Sequence, residues 1–188
     1  LLIVTDGAPL GGVVKWKGLD GIRRTADGAI YAHRGRSIKG DDVEEALYVP
    51  GQAGGSMVIG TTGGGKSASN ILAILNRLAA GIFPILFDPK QLVDYGDFIG
   101  VFPIGITDEH REVILRSLVA ERKRRERLVA RKPIVDRNGR TRSGESRWNL
   151  DDGPPIWHAW EEFHDIARDE PFVGRLTSQI RFQRVAAM

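Results

Sequence analysis

The chain has no cysteine, which excludes disulfides and every zinc or redox centre built on thiolates. That fits a reducing compartment without requiring one. Histidine is scarce, with four residues scattered along the chain and none in the H-E-x-x-H spacing of a helical zinc site. No apolar run reaches the roughly 18 residues that a spanning helix needs. The opening Leu1-Leu2-Ile3-Val4 lacks the basic flank of a secretory leader and is too short to be one. An initial Met is missing, and Val185-Ala186-Ala187-Met188 carries no stop signal, so the expectation is a fragment cut at both ends.

What is present is a chain of 188 residues, 41% apolar, enough for one real core and, on size, one domain with a small appendage. The net charge is only +3 but is unevenly spread. Residues 121–147 hold eleven Lys or Arg against the four acids Glu121, Glu126, Asp136 and Glu145. Two readings stand: a solvated helix end and loop, or an electrostatic footprint for a polyanion.

Residues 1–56 are Gly-rich, with short apolar pieces (Leu1–Val4, Gly12–Trp16, Ala29–Ala32, Ala46–Val49) between turn residues, which predicts short strands or hairpins. From Met57 the pattern changes. Met57-Val58-Ile59 reads as an apolar strand, followed at once by a Gly-rich loop. Ile71, Leu72, Leu75 and Leu78 then fall on one face of a helix over 67–80, which Gly81 stops. Ile82–Phe87 reads as a second buried strand despite Pro84, completing a strand–loop–helix–strand unit over 57–87. A short strand is expected within Val101–Ile106. Thr107 is placed to cap a helix running to about Ala130, with Asp108 and Glu109 in its first turn and Pro133 beyond its end. Val113, Ile114, Leu118 and Leu128 are its expected inward positions. A basic loop or hairpin over 134–153 leads to an apolar run, Pro155–Trp160, closed by Glu161-Glu162. Phe163–Met188 reads as two helices around a loop.

Gly60-Thr61-Thr62-Gly63-Gly64-Gly65-Lys66-Ser67 matches G-x-x-x-x-G-K-[ST] at every position. Glycines let such a loop curl its N–H groups around a polyphosphate at a helix N-terminus. Lys66 would reach the β- and γ-phosphates of ATP, and Ser67 would offer its hydroxyl to Mg2+. Hydrolysis also needs a carboxylate on the metal side and a group that activates water. Glu161 and Glu162 are the candidates, against the alternative of two surface acids opening a helix. Asp88, at another strand end, is either a site acid or the opener of an Asp-Pro turn.

The span of about residues 50–188 resembles the FtsK/SpoIIIE superfamily of double-stranded DNA translocases, and within it the actinobacterial plasmid-transfer branch of TraB-like proteins. Three landmarks carry the likeness: MVIGTTGGGKS over 57–67, ILFDPK over 85–90, and the apolar strand ending in the acid pair and Phe163. The basic stretch ERKRRERL over 121–128 fits the same layout. The resemblance implies an α/β, RecA-like P-loop NTPase core with a mainly parallel sheet flanked by helices. That core would occupy 51–188, truncated on its C-terminal side, after a small β-rich segment over 1–50. It implies a ring-shaped homo-oligomer, usually a hexamer, that uses ATP and Mg2+ to move duplex DNA in conjugation or chromosome partition. Such motors work at the cytoplasmic face of the bacterial membrane, held there by segments absent from this chain. Arg122, Lys123, Arg124 and Arg125 become candidate DNA contacts.

This chain departs from the pattern in having Glu161-Glu162 where Asp-Glu is usual, and Trp157, His158 and Trp160 where small β-branched residues are usual. His158, in mid-strand, reads as structural. A sensor residue, an arginine finger and a DNA-guiding domain have no counterpart here to be assigned. Two other readings are kept: a related coupling or secretion ATPase acting on single-stranded DNA or protein, and a nucleotide-binding assembly subunit that does not hydrolyse ATP.

Overall fold

The turn-rich N-terminal stretch forms three short strands, β1 (Ile22–Arg24), β2 (Ile30–Arg36) and β3 (Asp42–Tyr48). They pair antiparallel in chain order. The computed structural model describes residues 15–37, 39–52, 56, 58–59, 64–135, 137–143 and 148–161, and these fall into two units. In the first, the β1–β2 turn closes through Thr25 N–H donating to Ala29 O at 3.0 Å, with Gly28 at φ 84°. Ile30 and Ala32 of β2 are fully buried, as alternation along a half-covered strand requires.

The helix α1 (Lys66–Ala79) belongs to this unit. Its expected apolar stripe of Ile71, Leu72, Leu75 and Leu78 is only half-buried. The positions it buries are Ala73, Ile74, Asn76 and Arg77. The reason is that the sheet offers α1 polar partners. Asn76 Nδ2 donates to His33 O at 3.2 Å and Asn76 Oδ1 accepts from Trp16 Nε1 at 2.9 Å. Arg77 donates to Glu45 Oε1 at 2.9 Å, and its burial lowers its pKa from the ordinary arginine value. Arg24 of β1 reaches Ala80 O at 2.8 Å, satisfying a carbonyl at the helix end. Gly81, at φ 73°, then ends the helix in the left-handed region where glycine is favoured.

The second unit is built on a parallel sheet of β4 (Phe83–Phe87), β5 (Ile104–Gly105) and β8 (Ile156–Trp160), with β4 in the middle. Phe83 pairs with Ile156 and Phe87 with Trp160, while Phe87 also pairs with Gly105. Strands buried this way are near-continuously apolar, as Phe83-Pro84-Ile85-Leu86-Phe87 is. The helix α2 (Asp108–Ala130) starts where expected: Thr107 Oγ1 accepts from His110 N–H at 3.2 Å. Leu115 and Leu118 of α2 join Ile85 and Phe87 in the core, flanked by Ile114, Val119, Ile156 and Trp160. Val113 and Leu128, expected inside, are exposed. The buried row of α2 is instead Arg111, Leu115, Leu118 and Arg125, a helical stripe with charged ends. The helix α2 ends at Ala130 as expected, shortly before Pro133. Pro133 opens β6 (Pro133–Val135), which pairs antiparallel with β7 (Thr141–Ser143).

The expected strand over 57–59 is not formed in its described part. Val58 and Ile59 lie outside any strand and are exposed. A strand is held by ladder partners, and none is paired with these two residues. The expected strand at Leu1–Val4 and helices over Phe163–Met188 lie outside the described residues. No helix among the described residues is long and apolar enough to cross a membrane.

Candidate functional site

Of the Gly-rich loop, Gly60, Thr61, Thr62 and Gly63 lie outside the described residues. Its second half is described. Gly64 and Gly65 are exposed, and Lys66 and Ser67 are the half-buried first residues of α1. Gly65 sits at the N-cap at φ 79°, ψ 16°, a left-handed conformation. Nothing lies within 4 Å of where a Cβ would stand, so the backbone angle alone calls for glycine here. The first full helical bond, Ser69 N–H to Gly65 O, measures 2.9 Å. The first turn of α1, at the positive end of its dipole, therefore begins at Lys66 and Ser67. Arg34 of β2 ties this turn to the sheet through Ser69 Oγ at 2.6 Å and Ser69 O at 3.2 Å.

In the second unit, the acids at the ends of β4 and β8 are neighbours by register. Phe87 and Trp160 are paired, so Asp88 and Glu161 follow at the same edge of the sheet. Glu161 N–H extends the ladder to Phe87 O at 2.9 Å. This is the carboxyl end of parallel strands, where open α/β sheets bind ligands. Asp88 is 1% exposed, and its two oxygens accept backbone N–H groups of Lys90 at 2.9 Å and Leu92 at 2.8 Å. It thereby builds the turn after β4. Glu161 is half-buried, and its Oε1 accepts a hydrogen bond from the hydroxyl of Tyr95. Nothing in the sequence pattern marks Tyr95. It lies 66 positions from Glu161, and the β4–β8 pairing together with the turn after β4 brings them together. Glu162 lies outside the described residues.

Below this edge, Trp160 stacks on Phe87 with ring centres 4.0 Å apart and planes at 14°. The Trp160 indole donates to His158 Nδ1 at 2.8 Å. Burial pushes the His158 pKa down, so the ring stays neutral and acts as a strut for Trp160. Two of the departures from small β-branched residues, His158 and Trp160, thus form one aromatic cluster with Phe87.

The four basic candidates on α2 divide. Lys123 and Arg124 are exposed. Arg122 has a mostly covered side chain and pairs with Glu126 at 3.5 Å. Arg125 is 4% exposed. It donates to Glu121 Oε1 at 2.7 Å and Pro154 O at 3.1 Å, and lies 4.4 Å from the Trp148 ring centre. Its guanidinium is a fastener between α2 and the approach to β8. Arg124 also holds Glu121, at 2.6 Å. Hydrogen bonds from Arg124 first, then Arg125, lower the Glu121 pKa to about 2.

No protein-family model, curated protein or solved structure matches this chain.

Proposed function

We propose that the protein is a P-loop ATPase that uses hydrolysis to move double-stranded DNA. The observation that carries the ATPase reading is the complete GTTGGGKS motif, with left-handed Gly65 opening α1 at Lys66. The DNA reading rests on the likeness of MVIGTTGGGKS, ILFDPK and the acid-ended strand to the FtsK/SpoIIIE landmarks. The parallel pairing of the ILFDPK strand with the acid-ended strand is compatible with it.

In this reading Lys66 would hold the β- and γ-phosphates and Ser67 would offer its hydroxyl to Mg2+, while Glu161 is the metal-side acid that the resemblance implies. Glu162 takes the proton of the attacking water. Among the described residues no group of three or more His, Cys, Asp or Glu could hold a metal by itself. Mg2+ is commonly bound by few protein oxygens together with substrate phosphates, so a single hydroxyl or carboxylate suits it. When bound, Mg2+ neutralises charge developing between those phosphates. Of the four basic candidates on α2, Lys123 and Arg124 are the exposed ones and would meet duplex phosphates. The protein would act as a ring of identical copies, in conjugation or chromosome partition, at the cytoplasmic face of the membrane.

The test is ATP hydrolysis with and without linear duplex DNA, beside Lys66→Ala. Strong stimulation by duplex, abolished in the variant, is expected. Turnover indifferent to duplex DNA would favour a pump for single strands or protein. Lys66-dependent ATP binding without turnover would mean a nucleotide-gated assembly subunit.

A further inference from the structure

We propose that Tyr95 is a positioning residue for Glu161, placed there by a turn that Asp88 builds. The proposal rests on Glu161 being the metal-side acid of an ATPase.

The chain leaving β4 makes an unusual reversal. Gln91 and Leu92 both have left-handed backbone angles, φ 57° and 69°. Residues with a Cβ adopt that region rarely and at a cost. Two consecutive cases need a local cause, and Asp88 provides it. Its Oδ1 takes the N–H of Lys90 and its Oδ2 that of Leu92, the second of the two left-handed residues. Asp88 is itself fixed, since its N–H donates to Gly105 O of β5 at 3.1 Å. The turn continues with Tyr95 N–H on Leu92 O at 3.2 Å and Phe98 N–H on Tyr95 O at 3.0 Å. Tyr95 is thereby 2% exposed, with its hydroxyl on Glu161 Oε1.

A carboxylate on a flexible glutamate stem has several rotamers, and a metal ligand must keep one. Here the departure from the shorter aspartate of the FtsK/SpoIIIE pattern has a physical consequence: the extra methylene adds a rotatable bond. A buried phenol O–H aimed at one carboxylate oxygen restrains that bond. The buried acid after β4 thus acts on the acid after β8 through the backbone between them and through Tyr95.

Tyr95→Phe removes one hydroxyl and leaves the ring. It should lower kcat about tenfold with KM for ATP changed less than about twofold, the signature of lost alignment rather than lost substrate binding. The Mg2+ concentration for half-maximal rate should rise several-fold. Asp88→Asn, which replaces one acceptor oxygen by a donor, should move both quantities the same way. A double-mutant cycle with Glu161→Gln removes the ambiguity of a general structural loss. If Tyr95 works through Glu161, the double variant should be no slower than Glu161→Gln alone. The same four proteins compared by urea unfolding give a readout independent of hydrolysis, in which the two substitutions should again be non-additive. Wild-type kcat and Mg2+ dependence in Tyr95→Phe, or additivity in both cycles, would overturn the proposal while leaving the ATPase reading intact. Coupling in urea together with a wild-type protein that never hydrolyses ATP would show a structural pair only, and would overturn both.

Discussion

Replacing Arg125 by Met, with Arg124→Met as its partner experiment, separates a structural arginine from an exposed one on the same helical turn. The Arg125 side chain is 5% exposed and that of Arg124 is 53% exposed. Methionine keeps most of the apolar stem, so the loss is concentrated in the guanidinium. Arg125 would lose a charge-assisted bond to Glu121, a bond to Pro154 O and its place over Trp148. A hydrogen bond to a charged group contributes about 1.5–3 kcal/mol and a desolvated cation–π contact about 2 kcal/mol. Glu121 keeps Arg124 as a partner, which recovers part of the first term. The expected net cost is about 3 kcal/mol for Arg125→Met, against a much smaller one for Arg124→Met, whose pair is solvent-screened. Equilibrium urea unfolding followed by tryptophan emission at pH 7 measures both. Equal effects, or an Arg125→Met cost below about 1 kcal/mol, would refute the assignment of Arg125 as a fastener. Duplex-DNA binding against salt should show the reverse order. Replacing Arg124 should reduce the slope by about 0.9, and replacing Arg125 should leave it unchanged.

Three further outcomes are expected. Gly105→Ala would place a Cβ 2.8 Å from Arg111 Cγ and 3.2 Å from Phe87 Cδ1, an overpacking that should cost about 1–3 kcal/mol in urea unfolding. A neutral result would mean that β5 shifts away from α2 without penalty. Thr107→Ala removes the cap acceptor for His110 N–H and should cost about 1 kcal/mol, with Thr107→Ser close to wild type. Equal losses in the two variants would point to the methyl group rather than the hydroxyl. Glu121 has a folded pKa of about 2 against an ordinary 4.5. A lowered carboxylate pKa gives stability that is present above the ordinary value and is lost as pH falls towards the folded one. The stability advantage of wild type over Glu121→Gln should therefore be constant above about pH 5 and shrink between pH 4.5 and 2. Parallel pH profiles for the two proteins would contradict the pairing.

The features legible in the sequence are those set by local chemistry. Thr107, Asp108 and Glu109 announce the start of α2, and the apolar runs around Ile85 and Trp157 announce β4 and β8, because caps and strand patterns act within a few residues. The helix start at Lys66 is equally local, since Gly65 supplies the backbone angle that the turn needs. The burial of Asn76 and Arg77 was not legible. An apolar stripe predicts the buried face only when the opposing surface is apolar, and here that surface offers the His33 carbonyl and Glu45. Arg125 looked like its neighbours in a basic run because its partner Pro154 lies 29 positions away. Tyr95 gave no signal for the same reason. Its role depends on the two left-handed residues after β4, and nothing in Gln91-Leu92 advertises that conformation.

The central claim is ATP-driven movement along duplex DNA, and triplex displacement tests it most directly. A third strand annealed to a linear duplex is released when a motor runs into it. The account predicts displacement that requires ATP and Mg2+ and is lost in Lys66→Ala. ATP turnover at full rate with the third strand left in place would contradict it.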